Sequence, residues 1–204
     1  MADAGNAFDM KHVVKYGFYL ARQWTSALRA LGVLICLFLT TGCDRYATKP
    51  LCSNHLADNS GINNYIVYDG GSALRKDSRL TWYRCLAGAF FAEGFCRGTA
   101  SKLTWEQAQI FASDLSEKSN AQWRVASAKE IKQIVEPDCV GPALDSVVFP
   151  DIDAANLWTS SNSWKHNNKY ACSIYSYNGA LSCKQPRKTP LPFLLVSSQQ
   201  KPLE

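Results

Sequence analysis

The chain has 204 residues, 47% of them hydrophobic, with 22 Lys and Arg against 17 Asp and Glu. That is enough apolar side chain for one cored domain without help from a metal. The positive excess is too small for a nucleic-acid binder, whose affinity rests on many phosphate contacts.

In chain order, residues 1–42 read first as an export signal. Arg22 and Arg29 precede the apolar run 30–39 (ALGVLICLFL), which leads into Thr40-Thr41-Gly42-Cys43. A cationic stretch, a short apolar stretch and small residues form the tripartite export pattern. Spanning a bilayer as a helix takes about 20 apolar residues, so the run is too short to be a transmembrane segment. Ending in Gly-Cys, the segment resembles a bacterial lipoprotein signal. That resemblance implies lipid attachment at Cys43 and a membrane-anchored envelope protein on the periplasmic or surface face. Thr40 stands where such signals prefer leucine, and Met10 offers a second start.

Export sets how the cysteines are read. Eight are present. Cys36 lies in the signal and Cys43 would carry lipid, which leaves Cys52, Cys85, Cys96, Cys139, Cys172 and Cys183. An even set in an oxidising compartment reads as disulfides. A zinc site needs ligands in close pairs, and no Cys-x-x-Cys occurs. No cofactor is expected.

Residues 43–62 are polar and read as a tether pinned at Cys52, with the domain proper over 63–198 and a tail over 199–204. Tyr65-Ile66-Val67-Tyr68 and Ser72-Ala73-Leu74-Arg75 flank Asp69-Gly70-Gly71, which predicts a hairpin. Leu80-Thr81-Trp82-Tyr83-Arg84 is a third strand, and residues 86–103 read as loop. Thr104-Trp105-Glu106-Gln107 opens a helix with a capping box, and Trp105, Ala108, Phe111, Ala112 and Leu115 recur at helical spacing. Ser127-Ala128-Lys129-Glu130 repeats the box for a second helix, which Pro137 stops. Gln122-Trp123-Arg124-Val125 reads as a buried connector between the two helices.

Beyond Pro137 the chain turns loop-rich, with short apolar contacts at Val147-Val148-Phe149-Pro150 and Leu157-Trp158-Thr159. Residues 170–176 and 180–184 flank Asn178-Gly179, a strong hairpin signal. Phe193-Leu194-Leu195-Val196 predicts a last strand. The sum is α+β: two helices packed on small antiparallel sheets, with long disulfide-braced loops.

Several segments fall in a familiar order. They are Leu80-Thr81-Trp82-Tyr83-Arg84-Cys85, Thr104-Trp105-Glu106-Gln107-Ala108, Trp123-Arg124-Val125-Ala126, Phe149-Pro150 and Leu157-Trp158-Thr159-Ser160-Ser161. This order resembles the Lcl C-terminal domain family, named after a bacterial collagen-like adhesin, over roughly residues 65–197. The resemblance implies a C-type-lectin-like fold and extracellular binding or adhesion, including to sulfated glycans, more than catalysis. Ala126 stands where the family has proline. Ala112 and the 193–196 strand stand where members often carry a pair of cysteines, so this copy lacks that bond.

Two disulfides are expected directly, Cys85–Cys96 and Cys172–Cys183; Cys52–Cys139 follows by elimination. Cys172 faces Cys183 if residues 176–179 form a four-residue loop, and lies diagonal to it if Asn178-Gly179 is a two-residue turn.

For function, the loop region offers Trp158, Trp164, Lys165, Lys169 and Tyr170, with His166. Aromatic rings beside cations can stack on a sugar and pair with sulfate or carboxylate. No Gly-x-Ser-x-Gly, His-Glu-x-x-His or phosphate loop occurs, so no enzyme is expected. The expected partners are the membrane, through the lipid, and a glycan or another envelope protein.

Overall fold

A computed structural model describes residues 49–58, 60–119, 121–163 and 168–198. They form an α+β domain with three small antiparallel sheets. The first sheet has five strands: β1 (Tyr65–Tyr68), β2 (Ser72–Arg75), β3 (Thr81–Tyr83), β6 (Trp123–Val125) and β10 (Leu195–Ser197). Their order is β1-β2-β3-β10-β6. A two-stranded hairpin joins β4 (Phe90–Ala92) to β5 (Phe95–Arg97). The third sheet is β7 (Asn156–Asn162), β8 (Tyr170–Tyr175) and β9 (Ala180–Pro186), in that order. The α-helices are α1 (Cys52–His55), α2 (Trp105–Ser119) and α3 (Ala128–Ile134), with a 3-10 turn at Gly61–Asn64. None is long and apolar enough to cross a membrane.

Both expected capping boxes form. Thr104 Oγ1 accepts from Gln107 N at 3.4 Å and Gln107 Oε1 accepts from Thr104 N at 3.1 Å. At α3, Ser127 Oγ accepts from Glu130 N at 3.3 Å and Glu130 Oε2 accepts from Ser127 N at 2.7 Å. These bonds satisfy backbone donors that a helix start leaves free. Glu130 also receives Arg124 Nη1 at 2.8 Å, which ties α3 to β6. Burial raises the Glu130 pKa, but the Arg124 and Ser127 hydrogen bonds outweigh it and hold the carboxyl down at about 2. The helix ends at Ile134, with Val135 already extended ahead of Pro137.

The central strand of the five-stranded sheet, β10, is buried on both faces. Val196 packs with Trp82, Phe149, Ile131 and Leu157 on one side. Leu195 packs with Trp123, Val125, Trp158, Ala108 and Ala112 on the other. A strand covered on both faces needs a continuous apolar run, which residues 193–196 provide. The strand itself starts two residues later than expected and ends one later, at Leu195–Ser197. It pairs with β3 and β6, so the absent cysteine pair leaves it central. Here α2 reaches this segment by packing: Phe111 meets Phe193 edge-on, with centroids 5.6 Å apart.

Four expectations need correction. Residues 86–103 are not all loop, because Glu93 and Gly94 both adopt positive φ (54° and 87°) and turn β4 back into β5. That two-residue geometry matches the sheet's twist. Of the connector at residues 122–125, Trp123–Val125 forms strand β6, and Leu157-Trp158-Thr159 lies in the seven-residue strand β7. Part of the expected tether, finally, is packed domain. Cys52 N donates to Val140 O at 2.8 Å, Leu51 bridges Val140, and Cys52 and Leu56 are buried with Cys139 and Ala143. The compact unit therefore begins at Lys49.

The six expected disulfide cysteines pair as Cys52–Cys139, Cys85–Cys96 and Cys172–Cys183. The hairpin takes the four-residue loop. Tyr175 faces Ala180 and Ser173 faces Ser182, which brings Cys172 and Cys183 to a Cα separation of 3.8 Å. Gly179 closes this loop with φ +69°, and a Cβ there would sit 2.4 Å from Val135 Cγ1. Only glycine fits that approach.

Candidate binding surface

The open end of the β8–β9 hairpin is organised by one arginine. Tyr170 pairs with Pro186, and the next residue, Arg187, donates its N–H to Lys169 O at 3.1 Å. Its Nη1 reaches Glu106 Oε1 at 3.0 Å on α2, and its Nη2 reaches Asn162 Oδ1 at 2.6 Å at the end of β7. The guanidinium also lies 4.1 Å from the centre of the Trp105 ring. Trp105 is held in turn by its indole N–H on Thr159 O at 2.8 Å. A planar guanidinium with several fixed donors suits this clamp between three elements. Arg187 is thereby committed to the protein, its side chain only 13% exposed.

The lysines around it are differently placed. Lys169, Lys184 and Lys188 are exposed. Among the described residues none of the three takes part in an ion pair, and Glu106 is taken by Arg187. What remains is a fixed scaffold edged by exposed ammonium groups. Such an edge attracts sulfate or carboxylate, more strongly at low salt.

The site residues expected from sequence divide into three groups. Lys169 and Tyr170 do lie at this end, at the start of β8. Trp164 and Lys165, with His166, lie outside the described residues. Trp158 does not belong to a binding surface. It is fully buried, donates its indole N–H to Leu103 O at 2.9 Å and packs among Trp123, Val125 and Phe193. Here β7 is covered on both faces, with Leu157 in one core cluster and Trp158 in the other, which a reading as loop could not foresee. Arg187, Lys184 and Lys188 were missed. Counting the hairpin outward from its four-residue loop places them opposite residues 167–171, beside Lys169 and Tyr170, and that count was the available signal.

A second feature is an apolar cleft of about 250 Å³ between α2 and the five-stranded sheet, lined by Tyr83, Ala89, Phe111, Leu115, Ser119 and Trp123, among others. Its hydroxyls are turned to the backbone: Tyr83 Oη donates to Ala89 O at 3.2 Å and Ser119 Oγ to Leu115 O at 2.7 Å. Arg84 lies beneath β4, 7% exposed, stacked 4.2 Å from the Phe91 ring and donating to the carbonyls of Val147 and Val148. Burial lowers its pKa. Among the described residues no three His, Cys, Asp or Glu side chains gather as a metal site.

The outward face of the β4–β5 hairpin carries Phe90, 58% exposed, and Phe95, 53% exposed, with the Arg97 guanidinium 5.4 Å from the Phe95 ring. Phe91 and Cys96, directly paired, face the other way.

Comparison with known proteins adds one finding. No curated protein matches the chain. The Lcl C-terminal domain matches residues 74–197, from β2 through β10, which takes in the strand before Arg84, both long helices and the clamp at Arg187. The chain belongs to the Lcl C-terminal domain family.

Proposed function

We propose that this protein is an exported binding module of the bacterial envelope, lipid-anchored at Cys43, that takes up a sulfated or carboxylated glycan. The observation that carries the reading is the set of exposed Lys169, Lys184 and Lys188 toward the open end of the β8–β9 hairpin, whose backbone the Arg187 clamp fixes. Three disulfides support an oxidising location outside the cytosol. They also leave none of those six thiols as a nucleophile, which favours binding over catalysis. For the fold we propose a C-type-lectin-like arrangement. Its support is the return of the last strand to the first sheet, with two helices and a separate three-stranded sheet between.

A second reading is a structural subunit of an envelope complex. The exposed Phe90 and Phe95 favour it, since aromatic pairs with an arginine are common anchors at protein interfaces. Heparin chromatography of the mature chain, followed by a glycan array, separates the two. The glycan reading expects salt-sensitive retention that is lost in the Lys169→Glu, Lys184→Glu, Lys188→Glu variant and kept in Phe90→Ser, Phe95→Ser. Retention that ignores the lysines would overturn it.

A further inference from the structure

We infer that the domain rests on the bilayer through Leu51, Tyr175 and Tyr177. The inference builds on the lipid-anchor reading and adds a second membrane contact. Lys49 follows Cys43 by six residues. A chain advances at most about 3.6 Å per residue, so Lys49 lies within roughly 20 Å of the lipidated residue. That is less than the width of a small domain.

The point of attachment is also firmly held. Lys49 Nζ donates to Pro137 O, Val140 N donates to Pro50 O at 3.0 Å, and the next turn is tied by Cys52–Cys139. A short leash on a fixed point leaves the domain little choice of which face meets the membrane.

That face carries the right chemistry. Leu51 is 49% exposed, Tyr177 39% and Tyr175 37%. They form one patch. A Cβ on Gly141 would lie 2.8 Å from Leu51 Cδ2 and 3.5 Å from Tyr177 Cε2, so both side chains converge over this glycine. Tyr177 then stacks on Tyr175, with centroids 5.8 Å apart and planes 29° from parallel. Gly141 N donates to Tyr177 O at 2.8 Å and holds the hairpin tip against the attachment segment. Tyrosine rings with an apolar body and a polar tip settle at the membrane interface.

The orientation follows. The tip residue Tyr175 and the clamp-side residue Tyr170 are the two ends of β8. Five strand steps separate them by about 17 Å. Seating the tip on the bilayer turns Lys169, Lys184 and Lys188 away from it.

Hydroxyl-radical footprinting read by mass spectrometry tests this. The full chain is produced in a bacterium and reconstituted in vesicles of phosphatidylethanolamine and phosphatidylglycerol. The Cys43→Ser variant in vesicle-free buffer is the reference. Oxidation of Tyr175 and Tyr177 is expected to fall by about threefold or more as the interface takes up their rings, while Phe90 and Phe95 oxidise equally in both samples. A lipid-modified Cys43 peptide with unchanged Tyr175 and Tyr177 overturns this inference and leaves the anchor standing. An unmodified Cys43 peptide ends both. Protection that grows with protein concentration in the vesicle-free sample assigns the patch to a second copy and also overturns it.

Discussion

The two ends of the β8–β9 hairpin share one ladder and present opposite surfaces. At the closed end, Tyr175 and Tyr177 stack beside Leu51, and the segment beneath them is fastened by Cys52–Cys139. Toward the open end, Lys169, Lys184 and Lys188 are exposed on strands that an arginine clamps to α2 and β7. Between them Ala171, Cys172 and Ile174 are buried. The interior of β8 specifies the fold, while its two ends and the exposed β9 are free to specify surfaces. A covalent bond fixes the first end, while a charged hydrogen-bond network fixes the second.

That difference predicts unequal costs. Replacing Cys52 and Cys139 by serine removes a link spanning 87 residues, worth about 4.5 kcal/mol in the chain-entropy description. Removing Cys172 and Cys183, 11 residues apart, should cost about 3 kcal/mol on the same basis. Urea unfolding of the two double variants measures both. Equal losses would mean that loop length does not govern the closed end.

At the open end, Arg187→Ala strips partners from Glu106 and Asn162 and uncovers Trp105. A loss of about 2 kcal/mol is expected for charged hydrogen bonds of this kind. Arg187→Lys should recover little, because an ammonium cannot span the same acceptors. Full recovery by lysine would reduce the clamp to a point charge.

Glu130 supplies a control away from both ends. Its folded pKa of about 2 lies below the ordinary 4.5. The group therefore contributes stability at pH above about 4.5 and loses that contribution as pH falls through about 2. Acid unfolding of the native chain should steepen in that window, and Glu130→Gln should flatten it. An unchanged acid limb in Glu130→Gln would place the titration elsewhere. The smallest effect belongs to Lys169→Glu, Lys184→Glu, Lys188→Glu, whose stability should stay within about 0.5 kcal/mol of the parent because these side chains are exposed. A larger loss would show that the lysines hold the fold.

Much of this was legible in the sequence where a local rule decides the outcome. Ser127 and Glu130 announce their helix because the two groups satisfy each other's backbone. Asn178-Gly179 marked the hairpin, and counting from a four-residue loop, the one that forms, places Cys172 against Cys183. What escaped was decided at a distance. Trp123 becomes a strand residue only because β10 arrives beside it from some 70 positions later. Trp158 looks like a ligand-facing aromatic until β8 and the strap around Leu103 cover it. The Glu93-Gly94 turn was passed over because glutamate is an uncommon residue at positive φ. The candidate surface was half visible, since Lys169 and Tyr170 were named from the sequence while Arg187 joins them through register alone.

The account stands on the cysteines being cross-links in an exported domain. Trapping free thiols during lysis, then mapping non-reduced peptides of the protein recovered from each cell fraction, tests that directly. The expected result is recovery with the envelope, with Cys52–Cys139, Cys85–Cys96 and Cys172–Cys183 intact and none of the six alkylated. Recovery of an unprocessed chain from the cytosol with these six sulfurs reduced would contradict it.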